Sequence, residues 1–430
     1  MDKEKLKRII KFDGMNDKFA DIYNATHQET EYQKRRYVEA IEEFEKYFPE
    51  NGDIEIYSAP GRTEVCGNHT DHQNGCVLAA AINLDIIGVV SFNESGFIRL
   101  KSKGYDKIVV DTGSLAIRED EKGKSDALIR GILYKFSQLG VKVGGFDIYT
   151  TSDVLSGSGL SSSAAFENLF GTIIDLKYND GKAGAVEIAK YGQFAENKFF
   201  GKNSGLMDQM ASSVGGFVYI DFKDNENPVI EKIDSIFEKS GYSIIITDTK
   251  GSHADLTDDY TAVRSEMEEI AAYFGKKTLR ETDESEFFAS IKKLRENHSD
   301  RAILRAIHFF NEDKRVATMK ELLEKNDFEG FIDIVNESGE SSAEFLQNNY
   351  STKKLSEQGI PLAIAVSKTV LKGKGAVRVH GGGFAGTIQA FVPNSMKIEY
   401  INSLEKIYGK NSCYVLNLRK YGGIEVTSEK

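Results

Sequence analysis

The sequence predicts a two-domain α+β chain of the α/β sandwich type, on three observations. Its 430 residues are too many for one ordinary hydrophobic core. Strand-length segments gather between residues 53 and 151, and long charged helices between 258 and 371. Only 5 prolines occur and none are gathered in a linker, so the domains are expected to be closely joined. The expected division is a helical extension over 1–34, a first domain over 35–222, and a second over 223–430 whose final strands return to the first.

From the N-terminus, residues 1–50 read as helical. The segment 35–48 carries an apolar stripe of Tyr37, Ile41, Phe44 and Phe48 and stops at Pro49, the pattern of a helix packed on one face. Residues 53–59 alternate as a strand. They run into Pro60-Gly61-Arg62-Thr63-Glu64-Val65-Cys66-Gly67-Asn68-His69-Thr70-Asp71-His72-Gln73-Asn74-Gly75, ahead of the apolar run 76–82. Arg62 suits a clamp on phosphate or carboxylate. His69, Asp71 and His72, with Asn68 and Asn74, admit three readings: metal ligands, a sugar pocket, or a polar turn with a capping aspartate. Their spacing matches no recognised metal set. Amide, imidazole and carboxylate groups do answer the mixed donor and acceptor character of sugar hydroxyls. Strands are expected at 86–92, 97–101 and 108–111, then a helix at 126–139.

Residues 146–151 alternate as a half-buried strand and lead into Val154-Leu155-Ser156-Gly157-Ser158-Gly159-Leu160-Ser161-Ser162-Ser163-Ala164, before a helical apolar pattern over 164–176. Two glycines let the backbone turn tightly and approach a ligand. Unpaired N–H groups, the helix dipole and three hydroxyls then face one point, which suits phosphate. A plain serine N-cap after a glycine turn would need only one of the three serines. Neither Gly-x-x-x-x-Gly-Lys-Ser/Thr nor Gly-x-Gly-x-x-Gly is present, because Ser162 stands where the third glycine would be. Alone, the loop points to phosphate and so to a nucleotide.

Beyond it, residues 183–200 hold Glu196 in Phe194-Ala195-Glu196-Asn197. Asn203 to Met210 places Asp208 in an apolar, methionine-rich turn, as either a buried functional group or a misplaced cap. Residues 216–222 read as a strand crossing toward the second domain. There a strand at 243–248 is followed by helices at 258–274, 284–297, 302–324, 328–347 and 360–371. A strand from 376 then meets Gly381-Gly382-Gly383, which allows close backbone approach, before another strand at 387–392. His253 and His308 read as solvated or satisfied structural histidines, and His380 as a brace of the glycine loop.

The composition, 40% hydrophobic and 28% charged, is that of a soluble globular enzyme. A net charge of −11 argues against nucleic acid and anionic membranes as partners. Cys66, Cys76 and Cys413 are odd in number and lack CxxC spacing, so neither a disulfide framework nor a zinc site is indicated. Residues 1–11 are charged, and no apolar run reaches membrane-spanning length. The expectation is a cytoplasmic protein, a monomer or weak homo-oligomer.

In this order, the three stretches resemble the three motifs of the small-molecule kinases typified by galactokinase, homoserine, mevalonate and phosphomevalonate kinases. Within them the resemblance is closest to the galactokinases. Ala59-Pro60-Gly61-Arg62 with Gly67-Asn68-His69-Thr70-Asp71 is similar to the galactokinase sugar signature, and Gly157 to Ala164 to the shared phosphate loop. Met207-Asp208-Gln209 and Gly381-Gly382-Gly383-Phe384 resemble the catalytic turn and third motif, and Ala195-Glu196-Asn197 and Asp259-Tyr260 with Arg264 also match.

The resemblance implies an N-terminal ribosomal-protein-S5-like α/β domain and a C-terminal ferredoxin-like α+β domain, with the active site between them. It implies an ATP-dependent sugar 1-kinase that converts α-D-galactose to α-D-galactose 1-phosphate, the first step of galactose catabolism by the Leloir route. Asp208 would lie beside the anomeric hydroxyl and either accept its proton or orient it, with Arg62 stabilising charge on Asp208 and on the phosphoryl group. Gly157, Ser158, Gly159, Leu160, Ser161, Ser162 and Ser163 would hold the ATP phosphates, with Ser163 and Glu196 near Mg²⁺. Asn68, His69, Asp71, Gly205 and Tyr260 would contact the sugar.

Four departures bear on the sugar. Asn68 stands where galactokinases carry Glu, a contact to the primary hydroxyl; Thr63-Glu64 replaces Val-Asn, His72-Gln73 replaces Tyr-Asn, and Leu155 replaces Pro. One mismatched hydrogen bond, worth about 1–3 kcal/mol, re-ranks related sugars. The alternatives are therefore a C1 kinase for another hexose, N-acetylgalactosamine or arabinose. A non-catalytic sugar sensor would show damage to the phosphate loop or to Asp208, and Ser161 to Ala164 and Asp208 are intact.

Overall fold

A computed structural model describes residues 1–154, 159–251 and 256–428. The expectations for Leu155, Gly157, Ser158 and His253 fall on residues outside that description. The chain opens with α1 (Lys3–Lys11), α2 (Asn16–Tyr23) and α3 (His27–Tyr47). α3 starts well ahead of residue 35 because Thr26 and Glu29 form a capping box, in which the Glu29 carboxylate accepts from Thr26 N at 2.7 Å.

Next come β1 (Glu55–Cys66), β2 (Cys76–Phe92), β3 (Phe97–Ser102), β4 (Ile108–Asp111), α4 (Ser125–Gln138), β5 (Phe146–Ser152), α5 (Ser162–Tyr178), α6 (Gly184–Ala195), α7 (Met207–Val214), β6 (Phe217–Asp221) and β7 (Val229–Ile233). β1 does not stop at residue 59. Register shifts between Pro60 and Arg62 and between Glu64 and Cys66 absorb the proline, so the strand runs through the polar motif. β2 likewise joins the two apolar segments into one strand of 17 residues. β6 does not cross to the second half, as its sequence suggested; it pairs with β2 and β7 in the first sheet.

The remaining elements are β8 (Tyr242–Asp248), α8 (Thr257–Tyr273), α9 (Glu284–Asn297), α10 (Asp300–Glu324), α11 (Phe328–Ser341), α12 (Gly359–Leu371), β9 (Ala376–His380), β10 (Thr387–Pro393), α13 (Lys397–Tyr408), β11 (Cys413–Leu416) and β12 (Ile424–Glu425). Two sheets result. The first has eight strands, in the order β12-β1-β2-β5-β3-β4 with β6 and β7 attached through β2; the second has four, in the order β11-β8-β10-β9. β3 and β5 are the parallel pair in an otherwise antiparallel arrangement. The two-residue β12 pairs with β1, Tyr57 opposite Glu425, bringing the end of the chain back to the first sheet. Among the described residues, no helix is long and apolar enough to cross a membrane.

One apolar core lies between the first sheet and α4, α5 and α6, and runs on through Phe331 to Ile244 and Phe391 of the second sheet. The other face of the first sheet is covered by α1, α2 and α3, with Phe19, Tyr37 and Phe44 against Ile56, Ile87 and Val89. This face has a charged centre. Asp85, on β2, is fully buried and binds the Arg36 guanidinium of α3, Arg419 Nη1 (2.9 Å), Tyr23 Oη (2.7 Å) and the Ser58 hydroxyl. Burial alone would raise its pKa, but Arg36 and Arg419 hold the carboxyl below its ordinary value.

Removing this charge while leaving two buried guanidiniums should be severe. Asp85→Asn is expected to cost about 3–5 kcal/mol of stability, read as a lowered urea midpoint. Because the folded pKa is depressed, the stabilisation is present above the unfolded value and is lost as the pH falls through the folded one. The midpoint of the wild type should therefore fall below the ordinary carboxylate range, with a component that Asp85→Asn lacks. Equal midpoints at neutral pH would refute the role of Asp85.

Candidate active site

Arg62 lies on β1 just after the register shift at Pro60, paired with Ala81. Its backbone N–H donates to Leu160 O at 3.1 Å, tying the strand to the end of the glycine–serine loop. Gly61 has no room for a side chain, since a Cβ there would meet Leu160 O at 2.7 Å. The Arg62 guanidinium donates to Asp208 Oδ1 through Nε at 2.8 Å and lies 2.6 Å from it through Nη2, while Nη1 donates to Gly159 O. Asp208 opens α7 and accepts from the Ser161 hydroxyl with its other oxygen, Oδ2.

Ser161 immediately precedes α5 with φ of 57° and makes no side-chain cap. Its hydroxyl serves Asp208 instead, so the simple serine cap is not what forms. The first N–H groups of α5 receive no side-chain cap from it. Burial would raise the Asp208 pKa, but the Arg62 charge and the Ser161 hydrogen bond hold it below its ordinary value. Asp208 is therefore a carboxylate at neutral pH.

A cavity of about 1050 Å³ opens beside this pair. Asn68, His69, Asp71, Gly205, Asp208 and Tyr260, separated in sequence, all line it, with Arg62, Arg264 and Gly382. His69 Nε2 lies 2.9 Å from Gly382 O, and its Nδ1 lies 3.3 Å from His72 Nε2. His72 Nδ1 is in turn 3.3 Å from Gln73 Nε2. An amide nitrogen only donates and a carbonyl only accepts, so neutral rings in this chain carry their protons on Nε2. Burial keeps His72 neutral. Asp71 accepts from His72 N at 2.8 Å, and a Cβ on Gly205 would meet Asp71 Oδ2 at 2.7 Å. Burial raises the pKa of Asp71, against the pull of His69. Tyr260 donates its hydroxyl to Gly383 O at 2.9 Å, and burial pushes its phenol up to about 12.

The turn at Gly67 and Asn68 is held by α10. Glu312 Oε1 accepts from Gly67 N (3.1 Å), Asn68 N (3.4 Å), Cys66 Sγ (3.3 Å) and Ser338 Oγ (2.6 Å). Burial opposes its charge, but His308, Arg378 and Arg315 hold its carboxyl down to about 2. His308 bonds Asn68 O and Ser341 Oγ, both at 2.9 Å, so it is a satisfied structural histidine with a functional neighbour. The sequence reading missed Glu312 and Asn348, and assigned no role to Glu64. A signal existed for Glu312: it falls on the buried face of α10 with Phe309, Val316, Met319 and Leu323. His380 is also buried, 3.0 Å from both Thr63 Oγ1 and Thr387 Oγ1, so it braces β9 against β1 and β10.

Gly159, Leu160, Ser161, Ser162 and Ser163 lie at or just before the start of α5. Glu196 opens the turn after α6; Lys202 Nζ donates to its Oε1 at 2.7 Å and Gln209 Nε2 to its Oε2 at 3.0 Å. Gln209 also donates to Glu167 Oε2 at 3.0 Å. Ser163 and Glu196 offer oxygen donors, as a hard cation requires, and the exposed Lys202 ammonium now neutralises Glu196. Among the described residues, no group of three or more His, Cys, Asp or Glu is placed to hold a metal ion by itself.

Residues 42–92 match the family model of the galactokinase galactose-binding signature, and residues 127–216 that of the GHMP kinase N-terminal domain. A galactokinase of Streptomyces coelicolor is 28% identical, over 77% of this chain and 83% of its own length. Among solved structures, Lactococcus lactis galactokinase complexed with galactose superposes with a TM-score of 0.74 at 22% identity, covering 89% of this chain and 98% of that one. Mevalonate kinase from Methanococcus jannaschii gives 0.60 at 16% identity, over 85% and 98%. These two share the fold. A galactokinase of Glaesserella parasuis is 30% identical over 376 residues, 86% of this chain and 92% of the relative. At that identity and coverage, the chain belongs to the galactokinase family.

Proposed function

We propose that this protein transfers the γ-phosphoryl group of ATP to the anomeric hydroxyl of α-D-galactose, giving α-D-galactose 1-phosphate and ADP. The observation that carries the reading is the Arg62–Asp208–Ser161 cluster, which joins the start of α5 to the wall of a polar cavity.

In this reading the phosphates of ATP lie against the start of α5, where backbone N–H groups and the helix dipole favour anions. The sugar lies in the cavity with its C1 hydroxyl beside Asp208. The hydroxyl oxygen forms a bond to the γ-phosphorus as the bond from phosphorus to the β–γ bridging oxygen breaks. The hydroxyl proton passes to Asp208. A carboxylate with a lowered pKa is a weak base, so Asp208 orients the hydroxyl first and takes the proton late, as suits a loose transition state. Arg62 spans Asp208 and Gly159 O, and so balances the carboxylate and the charge that develops on the phosphoryl oxygens. Ser163 and Glu196 would hold Mg²⁺, which neutralises phosphate charge when bound.

Two outcomes are expected. Asp208→Asn should lower kcat by about 10²–10⁴-fold while calorimetric binding of galactose persists. Turnover at the wild-type rate would remove Asp208 from this role. In a coupled ADP-release assay with galactose, glucose, mannose, N-acetylgalactosamine and arabinose, galactose should give the highest kcat/KM. If another sugar ranks first, the reaction type stands and the acceptor changes.

A further inference from the structure

Glu64 has a carboxylate oxygen that the protein leaves open. It sits two residues beyond Arg62 on β1, so both side chains emerge on the same face, and both line the cavity. Glu64 is only 5% exposed. Its Oε1 accepts from Arg378 Nη2 at 2.9 Å and from Asn68 Nδ2 at 3.0 Å. Its Oε2 accepts from no described residue. Arg378 is fully buried beneath it and also donates to Val65 O, so the carboxylate cannot swing away without stranding a buried cation.

Asn68 is committed differently. An amide nitrogen has two protons. One goes to Glu64 Oε1 and the other to Gly381 O at 2.7 Å. Its Oδ1 already accepts from Asn348 Nδ2 at 2.7 Å. Asn68 has no proton left for a ligand and shares its one oxygen.

We infer that Glu64 is the specificity-determining residue of the sugar pocket, its Oε2 accepting a hydrogen bond from a non-anomeric hydroxyl, while Asn68 clamps the carboxylate in place. The inference rests on the proposed sugar 1-kinase reading and refines its substrate class. The pocket takes a neutral sugar that presents a hydroxyl donor to Glu64. It disfavours uronates and sugar phosphates, whose charge would face the carboxylates of Glu64 and Asp208. A hydrogen bond to a charged acceptor in such a site is worth about ten- to a hundredfold in kcat/KM.

The test uses galactose, its 2-, 3-, 4- and 6-deoxy analogues and galacturonate with the full-length wild type, Glu64→Gln and Glu64→Asp. The wild type should lose about ten- to a hundredfold in kcat/KM at the deoxy position that faces Glu64, and should reject galacturonate. In Glu64→Gln the KM for galactose should rise and the penalty at that one position should shrink to a few-fold. The KM for ATP should not move, which separates a role at the sugar from general loosening of the fold. Glu64→Asp keeps the charge opposite Arg378 but withdraws the oxygen by one methylene, and should lose the same discrimination. It decides the matter if Glu64→Gln shows no cooperative melting transition. Wild-type penalties retained at every position in the folded variants would overturn the inference. A wild type that never phosphorylates galactose would instead sink the proposed function, and Glu64 would then be judged by calorimetric binding of the same analogues.

Discussion

The ion pair between Arg62 and Asp208 is the interaction on which the site depends. It joins a strand residue to the first turn of a helix far along the chain, and it reaches the glycine–serine loop through Gly159 O. A buried guanidinium and a carboxylate facing a cavity would each be costly alone. Together they lower the Asp208 pKa, draw in the Ser161 hydroxyl, and leave the start of α5 without its serine cap. One contact thus sets the charge of the acid group and the availability of the helix terminus.

The same solution recurs around the site. Glu64 faces Arg378, Glu312 faces Arg315, and Asp85 faces Arg36 and Arg419. Each of these three carboxylates has a cation beside it; the pairs of Glu64 and Asp85 link elements distant in sequence, whereas Arg315 lies three residues from Glu312 on α10. Glu312 holds the turn that carries Asn68, although α10 itself lies outside the motif. Asp85 secures α3 and the C-terminal segment to the face of the first sheet opposite α5, and Asp85 O accepts from Asp153 N at the entrance to the glycine–serine loop. The N-terminal helices are therefore part of the sheet that supports the loop.

Several polar groups in and behind the cavity wall are already engaged. His69, His72 and Gln73 form a directional chain that fixes ring orientation. Asn68 is satisfied on every proton. Such saturation makes the few open atoms informative, because an open charged atom in a cavity marks where a ligand's donor belongs.

Much was legible from sequence alone. Helical periodicity located α4, α5 and α8 to α12 to within a few residues, since each buries one stripe. The polar motifs named Arg62, Asn68, His69, Asp71, Gly205, Asp208 and Tyr260, which line one cavity, whereas Ser161, Ser162, Ser163 and Glu196 from the same reading do not line it. The continuity of β1 through Pro60 was not legible, because a bulge that tolerates proline depends on the partner strand. Nor was the placement of β6 in the first sheet, since strand pairing is non-local. Pairings such as Glu64 with Arg378 or Glu312 with the Gly67 turn bridge hundreds of residues, and no local pattern encodes them. The sequence by itself determined which chemical groups were present and which faces would be buried, because propensity and periodicity are local. Only the tertiary structure decided which charges neutralise one another and which oxygen stays open, because burial and electrostatic pairing exist only once distant segments meet.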